Sequence, residues 1–104
     1  MKSEKILRAH NFKELNVWKE GRILIKEIYK ITKEFPLDEK FGIVSQLRRA
    51  AISISSIIAE GTGRDTENQL LNFLNFSKGS SYEVESLLIV SLDLKYINEE
   101  VFAD

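Results

Sequence analysis

Cysteine is absent from this sequence, and that one gap removes disulfides, thiolate metal sites and thiol nucleophiles together. Proline occurs once and glycine five times. With so few breakers the chain can sustain long helices, and the breakers fall where helical patterns end. Histidine also occurs once, as His10 in a polar stretch before the first helical pattern, where a flexible surface side chain is expected and a ligand is not. No apolar run exceeds a few residues, against the roughly 20 that a membrane-spanning helix needs. The opening residues mix charged with apolar side chains and carry no secretory leader pattern, so a cytoplasmic location is the expectation.

The parts of an active site are missing as well. There is no metal-ligand cluster, no glycine-rich phosphate loop after a strand and no nucleophile beside a histidine, so the expectation is a non-enzyme with no cofactor, no metal and no small-molecule substrate. Glu60, Glu83 and Arg49 could be grouped as acid and base, but residues of this kind more often form a structural ion pair.

What remains is a chain of 104 residues, 43% hydrophobic and 30% charged, the balance of one water-soluble helical domain spanning 1–104. The net charge of −1 conceals an asymmetry: residues 1–64 hold 13 Lys and Arg against 8 Asp and Glu, whereas residues 65–104 hold 2 against 8. Opposite halves of this kind suit the pairing of complementary faces, within a chain or head to tail between chains, at least as well as they suit a basic surface for nucleic acid.

The periodicity predicts an all-α chain. A first helix runs from about Asn16 to Glu34 and is stopped by Pro36. Val17, Leu24, Ile28, Ile31 and Phe35 keep near-heptad spacing through Gly21, and Trp18, Ile25 and Thr32 form a second row, so two packing partners are expected. Its opposite face carries Lys19, Glu20, Arg22, Lys26, Glu27, Lys30 and Lys33, which is most simply a solvated surface. A second helix, about 38–61, starts near Asp38 as N-cap and ends at Gly61 or Gly63 through a left-handed exit. Ile43, Leu47, Ala50, Ile54 and Ile57, widened by Val44, Ala51 and Ile58, give it a broad core face. A polar row, Gln46, Arg49, Ser53, Ser56 and Glu60, borders that face. Both a wet surface and a helix–helix or subunit interface, in which Arg49 finds a carboxylate, fit this row.

A third helix, about 66–95, opens with the capping box Thr66-Glu67-Asn68-Gln69. Leu70, Leu74, Ser77, Ser81, Val84, Leu88 and Leu92 make one stripe, and Phe73, Phe76, Ser80, Glu83, Leu87, Val90 and Leu94 make another. Gly79-Ser80-Ser81 lowers helix propensity by up to about 1 kcal/mol at the glycine, which suggests close backbone approach. Glu83, a carboxylate in an apolar row, calls for a partner such as Arg48 or Arg49. Asn98 then reads as the N-cap of a fourth helix beginning near 99, with Val101 and Phe102 in its first turn. Three long helices with two apolar stripes apiece would leave a groove for another chain or segment.

The order Phe12-Lys13-Glu14-Leu15-Asn16-Val17-Trp18, Phe35-Pro36, Gln46-Leu47-Arg48-Arg49-Ala50-Ala51-Ile52-Ser53-Ile54, Ala59-Glu60-Gly61 and Gly79-Ser80-Ser81-Tyr82-Glu83-Val84-Glu85 resembles the bacterial four-helix-bundle family first noticed in 23S rRNA intervening sequences, across nearly the whole chain. The resemblance implies an up-down-up-down four-helix bundle, its fourth helix truncated or absent here, that assembles as a ring of five subunits without catalysis. It also implies a relation to the accessory variability proteins of diversity-generating retroelements, which bind a reverse transcriptase and nucleic acid. Where the family commonly has proline and asparagine after the arginine pair, this chain has Ser55, Ser56 and Ile57. A family named for the genomic position of its reading frames carries no stated activity in that name.

Three functions follow as expectations. The first is an oligomeric scaffold presenting a surface to a protein or nucleic-acid partner, with Gln46, Arg48, Arg49, Ser53, Glu60 and Glu83 forming a polar seam or interface. The alternative is direct RNA or DNA binding through Lys2, Lys5, Arg8 and Lys13 and the first-helix row Lys19, Arg22, Lys26, Lys30 and Lys33, although Trp18 and Tyr29 do not interleave with those lysines as stacking platforms. In the third, the groove takes a partner helix or a neighbouring copy.

Overall fold

Thr66 fixes the start of the longest helix. Its hydroxyl accepts the Gln69 amide at 3.1 Å, and the Gln69 side-chain oxygen reaches back to the Asp65 amide at 3.2 Å, so two free donors at the helix start are satisfied reciprocally. The computed structural model describes residues 11–100, and the expectations for Lys2, Lys5, Arg8, His10, Val101 and Phe102 lie outside that range. Within it, all regular structure is helical: α1 (Asn16–Thr32), α2 (Ile43–Thr62) and α3 (Glu67–Asp93), with short 3₁₀ turns at Phe12–Glu14 and Leu37–Glu39. The chain is all-α, as its periodicity indicates.

Successive helices run antiparallel. Gly21 of α1 lies against Ser55 of α2, and Thr32 meets Arg48. On the other side Ser77 of α3 donates to the Ile54 carbonyl of α2 at 2.9 Å, and Gly61 packs on Phe73. The middle helix therefore carries the core. Leu47 and Ala51 are fully buried, surrounded by Val44, Ala50, Ile54 and Ile58 from α2, Ile28 from α1 and Val84 from α3. Burying a side chain such as Leu47 contributes roughly 2 kcal/mol. Outer helices α1 and α3 touch α2 but enclose no fourth partner, and the result is a rod of 52 × 20 × 19 Å.

Helix ends depart from expectation in three places. The second helix begins at Ile43, not near Asp38, because Pro36 leads into the 3₁₀ turn and Gly42 turns the backbone at φ −108°, ψ −117°. Glu39, not Asp38, supplies the carboxylate, with Oε1 3.4 Å from the Ile43 amide. Neither Gly61 nor Gly63 makes a left-handed exit; Gly63 sits at φ −88°, and Gly61 is explained by close approach, since a Cβ there would stand 2.6 Å from that of Phe73. The left-handed exit belongs instead to Lys95, φ 64°, after α3. There the Tyr96 amide donates to the Ser91 carbonyl and the Lys95 amide to that of Leu92, a Schellman arrangement with lysine where glycine is usual. Beyond it the backbone is helical again at Glu99 and Glu100.

Candidate functional site

Among the described residues no group of three or more His, Asp or Glu is placed to hold a metal ion, and no helix is long and apolar enough to cross a membrane. The features left for function are the faces that the three helices do not bury in one another.

The first is a trough between α1 and α3. Its walls are Val17, Gly21 and Leu24 on one side and Leu74, Ser77 and Ser81 on the other, over a floor of Ile54 and Ile58. Toward the far end it continues between Ile31 and Leu92, where Ile97, Asn98 and Glu99 lie at its mouth. One apolar row of α1, through Gly21, Ile28 and Thr32, is buried, while the row Val17, Leu24 and Ile31 is left as trough wall.

The second is a cleft on the outer side of α2, lined by Tyr29, Lys40, Phe41, Arg48, Arg49 and Ile52. Arg48 is tied into the fold. Its Nε donates to the Thr32 hydroxyl at 2.9 Å while the guanidinium lies 4.3 Å from the Tyr29 ring centroid. The Thr32 hydroxyl in turn donates a hydrogen bond to the Ile28 carbonyl at 2.7 Å, so Arg48 completes a three-group chain joining α2 to α1. Arg49, one residue and about 100° further round the helix, is exposed. Lys40 lies over Phe41, 5.3 Å from its centroid, and Phe41 is 88% exposed.

The third is the outer stripe of α3. Heptad steps through Ser77, Val84 and Ser91 bury one line of this helix, which turns Phe76, Glu83, Val90 and Leu94 outward by one position or more. All four are exposed. Gly79 has no atom within 4 Å of the place a Cβ would occupy, so the close approach expected at Gly79-Ser80-Ser81 does not occur within the chain.

The expected pairing of Glu83 with Arg48 or Arg49 is not formed. Among the described residues neither Glu83 nor Arg49 has an ion-pair partner, and the ion pair present joins Glu60 to Arg64, one turn apart on an exposed surface, at 3.9 Å. Such a pair contributes little. The reason is rotational: Val84 takes the place facing α2, so its predecessor Glu83 faces water. Gln46, Arg49, Ser56 and Glu60 are likewise exposed and Ser53 half-buried, while Arg48 belongs to the α1 contact and not to their row.

On α1 the basic residues Lys19, Arg22, Lys26, Lys30 and Lys33 are all exposed. Arg22 covers the Trp18 ring at 5.2 Å. No aromatic interleaves with the lysine row, but the fold brings Tyr29 and Phe41 next to Lys40, Arg48 and Arg49 across the helix boundary. The sequence signal for Phe41 was weak, because an isolated aromatic in a turn belongs to no periodic stripe.

Three antiparallel helices with open apolar and charged faces define a helical-bundle protein. The chain belongs to the family of 23S rRNA-intervening sequence proteins, whose pattern it matches over residues 13–104. Comparison with curated proteins gives no match.

Proposed function

We propose that the protein is a non-catalytic, cytoplasmic scaffold that self-assembles and presents its surface to a protein or nucleic-acid partner. The observation that carries this reading is the apolar surface left on both sides of α3: Phe76 is 63% exposed and Leu94 49% on the outer stripe, while Leu74 and Leu92 line the trough. Exposed apolar surface on this scale favours association. A ring of five subunits, as the family resemblance implies, is the assembly proposed. Light scattering on the full chain tests it; a multimeric mass is expected at micromolar concentration, and a monomer overturns the reading.

A second reading has its own observation. Lys40, Arg48 and Arg49 gather around Tyr29 and Phe41, and cations beside exposed rings suit a nucleic-acid backbone and its bases. Fluorescence anisotropy with single- and double-stranded RNA and DNA tests it. Binding that falls steeply with salt is expected if this surface makes phosphate contacts, and no binding at low salt excludes it.

A further inference from the structure

Given the assembly proposed above, we infer that two different faces of this chain meet between neighbouring copies: the outer cleft at the start of α2 receives the outer stripe of α3, with Arg49 of one copy paired to Glu83 of the next. Each face is incomplete alone. The cleft offers cations and an apolar prong, Lys40, Arg49 and Phe41, the last with 88% of its surface in water. The stripe offers the complementary set: one carboxylate, Glu83, flanked by exposed Phe76 and Val90, and a dip at Gly79 where nothing stands within 4 Å of a Cβ position.

Charge and register both favour a second copy as the occupant. Glu83 and Arg49 are exposed and lack ion-pair partners among the described residues, and each is the other's missing partner. The positive half of the sequence, residues 1–64, supplies the cleft and the negative half, residues 65–104, the stripe. Ser77 lies opposite Ile54 and Tyr96 opposite Glu39, so in this antiparallel pair Glu83 stands at about the height of Arg49. Copies placed side by side with parallel axes bring the two residues level. Because the faces differ, the contact is heterologous, and it propagates until rotation closes a ring. Glycine at 79, a poor helix former with no close neighbour in its own chain, lets the adjoining helix approach.

The test uses charge reversal in the full chain, read by sedimentation equilibrium, with circular dichroism as the check on folding. Arg49→Glu and Glu83→Arg are each expected to stay helical and to weaken self-association at least tenfold. An equimolar mixture of the two variants is expected to regain association between unlike copies, in alternating assemblies that an odd-membered ring cannot fully close, and the double variant Arg49→Glu/Glu83→Arg, which restores every contact, is expected to recover the wild-type mass; a pair formed inside one chain gives no rescue in the mixture. Folded single variants that assemble like the wild type overturn this interface while leaving the scaffold reading intact. A monomeric wild type overturns both. Loss of nucleic-acid binding in Arg49→Glu with unchanged mass also overturns it, and assigns the cleft to nucleic acid.

Discussion

Tyr96 and Glu39 close the far end of the rod: the Tyr96 hydroxyl donates to Glu39 Oε2 at 2.7 Å. The other oxygen of the same carboxylate faces the first amide of α2, and the Tyr96 ring lies 5.2 Å from that of Phe35. One side chain thus joins the α1–α2 turn, the start of α2 and the exit of α3.

This contact predicts an alkaline sensitivity. The hydrogen bond to Glu39 comes first in raising the Tyr96 pKa, with desolvation and the charges of Glu39 and Asp38 adding to it. The folded value therefore lies above the unfolded one, near 10. Between the two the native chain keeps a proton that the unfolded chain has lost, so the stabilisation is complete below about pH 10 and declines as pH rises through the folded value. Denaturant midpoints measured from pH 7 upward are expected to fall in this alkaline range for the wild type and to fall less for Tyr96→Phe. Equal slopes would show that the hydroxyl is not coupled to folding.

Ser55 and Gly21 give a second prediction. Ser55 Oγ is buried without a hydrogen-bond partner, and a Cβ at Gly21 would collide with it. Gly21→Ala is expected to destabilise by roughly 1–3 kcal/mol through overpacking. Ser55→Ala removes an unsatisfied hydroxyl and is expected to be neutral or stabilising by up to about 1 kcal/mol. In the Ser55→Ala background the collision is gone, so Gly21→Ala loses most of its cost and recovers helix propensity of about 1 kcal/mol. A double-mutant cycle by urea denaturation checks this, and additive single effects would contradict it.

Much of this architecture is readable in the sequence, because the heptad rows through Leu47 and Ile54 in α2 and through Ser77 and Val84 in α3 are local periodicities. The Thr66 capping box is a local signal too, and only its reciprocal arm shifted by one residue, to the Asp65 amide. What the sequence left ambiguous is rotational and long-range. Glu83 sits in an apolar row, but whether that row faces α2 or water depends on which of two stripes α3 buries, and the buried one is that of Ser77, Val84 and Ser91, with the Ser77 hydroxyl donating to the Ile54 carbonyl. By residue type Asp38 is the better cap. The 3₁₀ turn after Pro36 favours Glu39, by bringing its longer side chain to Ile43.

Lys95 offers a gain in stability. It holds φ 64°, a left-handed conformation that a side chain makes unfavourable by roughly 1–2 kcal/mol. The two Schellman hydrogen bonds keep it there. Lys95→Gly is expected to raise stability by about 1 kcal/mol with unchanged helix content, measured by thermal unfolding followed by circular dichroism. A drop would indicate that the lysine side chain makes a stabilising contact outweighing the backbone strain.

Gly61 and Gly79 are both glycines within helices, and their surroundings predict opposite responses to alanine. At Gly61 a Cβ would lie 2.6 Å from the Phe73 Cβ and 3.3 Å from Leu70 Cδ1. The nearest obstruction is the first carbon of a side chain and cannot swing aside, so α2 and α3 must separate, at a cost of roughly 1–3 kcal/mol. At Gly79 the space is open, and alanine is expected to stabilise the isolated subunit by about 1 kcal/mol through helix propensity alone. If α3 meets a neighbouring copy there, the same methyl group obstructs that contact. Gly79→Ala then raises the denaturant midpoint of the dissociated subunit while lowering the concentration-dependent mass, whereas Gly61→Ala lowers the midpoint. A Gly79→Ala protein that is both more stable and fully assembled would place the interface elsewhere on the rod.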